Sequence, residues 1–110
     1  MEYEWMESLK YASSEEVSPY IPKLLDALEN DQYEERALEI LLQYPTESTV
    51  FIEEALLSGD FILQKILLQK LIPRLPFYSK IVVANAVEQI ALIPGELQQL
   101  AQTALQSFEP

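Results

Sequence analysis

The sequence predicts an all-α protein built as a short stack of helix pairs, and three observations carry that prediction. Apolar residues recur at helical rather than alternating spacing along most of the 110 residues. The chain holds only two glycines but seven prolines, and the prolines fall where helices would begin or stop. Displacing the chain by 29 positions lays Ile21 on Val50, Leu28 on Leu57, Asn30-Asp31 on Gly59-Asp60, Arg36 on Lys65, Leu38 on Leu67 and Leu42 on Leu71. Such a displacement in phase with the turns is what a repeated two-helix unit requires.

Residues 2–12 read as a first short helix, with Trp5, Leu9 and Ala12 on one face and Trp5 as its anchor on the body of the domain. Ser13 followed by Glu16 fits a capping box. Pro19 and Pro22 suit the first turn of a helix over 22–29 that sets Leu24, Leu25 and Leu28 inward behind Ile21. Asn30 and Asp31 break and recap the chain. Over 31–44, Tyr33, Ala37, Leu38, Ile40, Leu41, Leu42 and Tyr44 share one arc of the helical wheel, opposite Gln32, Glu35, Arg36, Glu39 and Gln43.

Pro45 ends that helix. Thr46 or Ser48 can cap the next, which runs to Ser58 with Val50, Phe51, Ala55 and Leu57 as candidate buried positions. Gly59 can then close it in a left-handed conformation while Asp60 caps a helix over 60–72. This helix is apolar on almost every side, which predicts a segment enclosed by neighbours, too short and too punctuated to span a bilayer. Residues 77–92 contain β-branched Ile81-Val82-Val83. Ile81, Ala84, Val87, Ile90 and Ala91 nevertheless keep helical spacing for longer than a strand would last. After Pro94-Gly95, a last stripe is made by Leu97, Leu100, Ala101, Ala104, Leu105 and Phe108, with Gln98, Gln99, Gln102 and Gln106 outside. Short connections make consecutive helices antiparallel. The expected division is one domain over residues 1–110: an N-terminal helix and cap over 1–18, then pairs over 19–45, 46–75 and 76–108.

The run SPYIPKLLDALENDQYEERALEILLQYP, followed by IEEALLSGDFILQKILLQKLIPRLP, resembles the small bacterial HEAT-like domains of domain-of-unknown-function family 5071 over roughly residues 15–93. YIPKLL and the LLSGDFIL-to-LIPRLP segment are its most specific parts. Members of that family often carry a tryptophan where this chain has Phe61 and Ile62. The resemblance implies a short right-handed HEAT-like α-solenoid of about three antiparallel helix pairs, and it transfers no catalytic residue.

Composition narrows the function. No cysteine and no histidine is present, which removes disulfides, thiolate chemistry, the commonest general base and the commonest transition-metal ligand. Ser13, Ser14 and Thr46 therefore have no imidazole to activate them. There is no glycine-rich phosphate loop. Glu15-Glu16, Glu34-Glu35-Glu39 and Glu53-Glu54 lack the spacing of a calcium loop, so no metal or cofactor is expected. The N-terminus has acid where a secretory leader has base, which predicts a cytoplasmic protein.

The net charge of −11 is unevenly placed: residues 1–60 hold 15 acids against three bases, and residues 61–110 hold three against four. Such a field disfavours nucleic acid and membrane and favours a basic protein surface. The expectation is a non-enzymatic protein-interaction module, monomeric or weakly self-associating. Its binding ridge would be Gln32, Glu35, Arg36, Glu39 and Gln43, with Gln64 stacked beside Glu35 and Lys65 beside Arg36. One version is an immunity or antitoxin-like protein masking a basic toxin. The alternative is an accessory subunit that packs through apolar end faces.

Overall fold

The structure, a computed structural model, describes residues 5–108, and every regular element among them is helical. α1 is Trp5–Leu9, ending short of Ala12; residues 2–4 of the expected first helix lie outside the described residues. Trp5 is half-buried and stacks on Tyr20 with ring centroids 5.6 Å apart. α2, Ser14–Val17, starts on the expected capping box. The Glu16 amide donates to Ser13 Oγ and the Ser13 amide donates to the Glu16 carboxylate, both at 3.3 Å. A 3-10 turn at Ser18–Tyr20 leads into α3, Ile21–Ala27, and Pro19 and Pro22 each stand in a first turn. Ile21, Leu24, Leu25 and Leu28 are buried as expected.

α4, Glu34–Gln43, begins later than Asp31 because Asn30 holds the chain in a turn. The Asn30 side chain accepts from the Gln32 amide at 3.0 Å, and its carbonyl accepts from Tyr33 and Glu34 at 2.9 Å. Ala37, Leu38, Ile40 and Leu41 face the core. α5, Pro45–Leu57, corrects the sequence reading twice. Neither Thr46 nor Ser48 caps it, for Pro45 already opens the helix and the buried Ser48 hydroxyl donates to the Leu41 carbonyl at 3.2 Å. Val50 and Leu57 are exposed, at 56% and 55%, while Ile52 and Leu56 fill the core. The buried residues of α3 therefore recur in α5 at a spacing of 28 rather than 29: Leu24 with Ile52, Ala27 with Ala55 and Leu28 with Leu56.

Gly59 takes a φ of +86°, and Asp60 accepts from the Leu63 amide at 3.3 Å, so the expected helix start holds. The single helix expected over 60–72 does not. α6 is Phe61–Ile66, followed by a π-helical turn at Leu67–Leu71, where the Ile72 amide donates to the Leu67 carbonyl, and by a 3-10 turn at Ile72–Arg74. Pro73 lacks an amide, and its ring crowds the carbonyl four residues back, so the chain widens ahead of it. Leu67, Leu68, Leu71 and Ile72 are enclosed, but Phe61 and Ile62 are not.

α7, Phe77–Ala91, is helical as its longer spacing indicates, with Val83, Ala86, Val87 and Ile90 inside. Ile81, placed inside by the sequence reading, is outside. α8, Glu96–Gln106, buries Ala101 and Ala104. Neighbours follow chain order: α3 touches α5 and α5 touches α7, while α4 and α8 both touch the π turn and α1 lies on α4. One apolar cluster runs from Met6 to Ala104. The radius of gyration, 13.6 Å, is close to the roughly 13 Å of a compact chain this long.

Candidate functional site

Gln32, Glu35, Arg36, Glu39 and Gln43 are exposed at α4, as their wheel positions predict, and Lys65 is exposed on α6. Gln64 departs from the expected ridge. It is buried, and its Nε2 donates to the Leu56 carbonyl at 2.7 Å. The expected rungs between Glu35 and Gln64 and between Arg36 and Lys65 are replaced by other pairs. Lys70 in the π turn pairs with Glu34, and Arg74 beyond it pairs with Glu35 at 3.3 Å. Arg36 pairs with Glu7, and Gln43 Nε2 donates to the Lys10 carbonyl at 2.8 Å. Much of the polar face of α4 thus clasps α1 and the segment after α6.

The acids left over gather elsewhere. Between α3 and α5 runs a groove of about 350 Å³ with Pro22, Leu25, Phe51 and Leu63 in its wall and Asp26 and Glu54 beside them. The spacing of 28 that relates the buried faces also relates these two acids, so the ladder of polar rungs exists on the first helices of the pairs. Glu29 lies near Asp26 and Asp60. Its carboxyl is raised above the usual range by burial first and then by those two carboxylates, the signature of concentrated negative potential. Among the described residues no three or more acids stand close enough to hold a metal ion. The groove can seat an apolar side chain beside a cationic one, and none of these residues is an activated nucleophile.

Asp26, Glu29, Glu54 and Asp60 were visible in the sequence only as part of the acid excess of its front half. The correct 28-residue register was the signal that would have paired Asp26 with Glu54. A second cleft, about 260 Å³, opens at the α7–α8 turn between Phe61, Gln64, Ile90, Ile93 and Leu97. Leu92 and Ile93 beside it are exposed at 79% and 63%. No helix among the described residues is long and apolar enough to cross a membrane.

A family model described as "Domain of unknown function (DUF5071)" matches residues 1–106, and the chain belongs to that family. No curated protein and no solved structure matches it.

Proposed function

We propose that this family member is a non-enzymatic protein-binding module, a short right-handed HEAT-like α-solenoid of bacterial origin that acts in the cytoplasm on a basic partner. The α3–α5–α7 and α4–π-turn–α8 order of neighbours supports the solenoid reading, since stacked helix pairs touch chiefly the next pair. The observation that carries the functional reading is the apolar groove with Asp26 and Glu54 at its edge. A partner Lys or Arg would lay its aliphatic stem on Phe51 and Leu25 and its charge on the carboxylates. An immunity or antitoxin-like role, masking a basic toxin, is the form that fits small size and acid excess.

The test is capture from the native host followed by elution in rising salt. A basic protein should be retained, should leave as screening shortens the Debye length to about 4 Å, and should be lost with Asp26→Lys and Glu54→Lys together. Exposed Leu92 and Ile93 favour a second reading, an accessory subunit docked by its apolar end. That reading takes over where retention ignores salt and the two lysines but is lost with Ile93→Glu.

A further inference from the structure

The outer face of α7 carries a second surface, independent of the acidic groove. Phe77, Tyr78, Ile81 and Val82 are all exposed, between 49% and 59%, on consecutive turns of one helix. Val50 of α5 joins them across a groove of about 140 Å³ whose wall includes Tyr78, Val82 and Ser79. The Ser79 hydroxyl is buried there without a hydrogen-bond partner. Residues 77–87 contain one charged side chain, Lys80, and it is turned away: its Nζ donates to the Ser107 carbonyl at 2.9 Å and lies over the Phe108 ring.

The geometry points to a second copy of this chain as the occupant of that face. A basic partner finds no carboxylate to engage along α7 before Glu88, whereas Asp26, Glu29 and Glu54 await it on the other groove. The occupant must instead be apolar and nearly uncharged, and α7 is itself such a surface. A helix stripe crossing its own copy about a two-fold axis is self-complementary, because each residue meets its counterpart or a near neighbour. Charge placement selects the same orientation. With −12 over residues 1–60 and +1 over 61–110, two copies approach with least repulsion when their later halves meet.

This arrangement has a salt dependence opposite in sign to that of a basic partner. Screening relieves the repulsion between two chains of net charge −11, so self-association strengthens as salt rises.

Sedimentation equilibrium of the full chain from about 1 µM to about 500 µM, in low and high sodium chloride, is the test. Expected is a monomer–dimer equilibrium that tightens with salt and weakens at least about tenfold in Ile81→Glu, while Leu92→Glu at the other apolar end leaves it unchanged. Circular dichroism checks that both variants keep their helicity, and Val50→Lys across the groove carries the comparison if Ile81→Glu misfolds. A monomer at every concentration and salt overturns the inference, as does a dimer that loosens with salt or that yields to Leu92→Glu and not to the α7 and α5 variants.

Discussion

The Tyr44 hydroxyl lies 2.6 Å from the Ala12 carbonyl oxygen and 2.8 Å from that of Leu9, so the end of α4 is tied to the end of α1. A helix of five residues is far below the roughly 12 to 15 that hold a helix in isolation. α1 therefore depends on this tie and on the burial of Met6 and Leu9. Tyr44→Phe should lower stability by about 1 kcal/mol in urea unfolding. Hydrogen exchange locates the loss: amides of α1 should exchange faster while those of α7 change little, and a uniform acceleration would show that the tie is not local.

Glu29 sets a pH dependence whose sign is fixed. Because burial and the Asp60 and Asp26 carboxylates raise its folded-state pKa, the proton favours the folded chain. The stability it contributes is complete below the ordinary carboxylate range and is lost as pH rises through the raised folded value. Ionised Glu29 therefore opposes folding at neutral pH. Glu29→Gln should raise the urea midpoint at pH 7, with the advantage fading as the buffer drops below about pH 4. A difference that stays constant or grows in acid would contradict the assignment.

Two adjacent leucines test the register of α5. Leu56 is fully buried and Leu57 is 55% exposed. Leu56→Ala should cost about 2 to 5 kcal/mol by transfer and cavity formation, and Leu57→Ala should stay within about 0.5 kcal/mol. Chemical denaturation of the pair decides it; equal losses would restore the 29-residue correspondence.

What could be read from the sequence was local. The Ser13–Glu16 box is a bond pattern between residues three apart, and α4 and α8 declare their orientation because a polar arc opposes an apolar one. α5 and α7 carry apolar residues on several sides, so periodicity identified them as helices without saying which side faces in. Val50, Leu57 and Ile81 were misplaced for that reason. Gln64 was misread because an amide on a wheel looks solvated until a carbonyl such as that of Leu56 comes within reach. The clasp from Lys70 to Glu34 and Arg74 to Glu35 depends on a widened turn that no helical wheel anticipates. The acidic groove in turn depends on the register of two helices in different pairs.

The π turn at Leu67–Leu71 also bears on how this chain can change in length. Deleting one residue there would return an ordinary helical turn but rotate everything beyond it by about 100°. Arg74 would swing off Glu35, and Ile72 would leave the core. Exchanges among leucine, isoleucine and methionine are absorbed by repacking, whereas gain or loss of a single residue is not. Between Ser58 and Pro76 the residue count is a tighter constraint than residue identity, and insertions belong in the Asn30 turn or after Leu92.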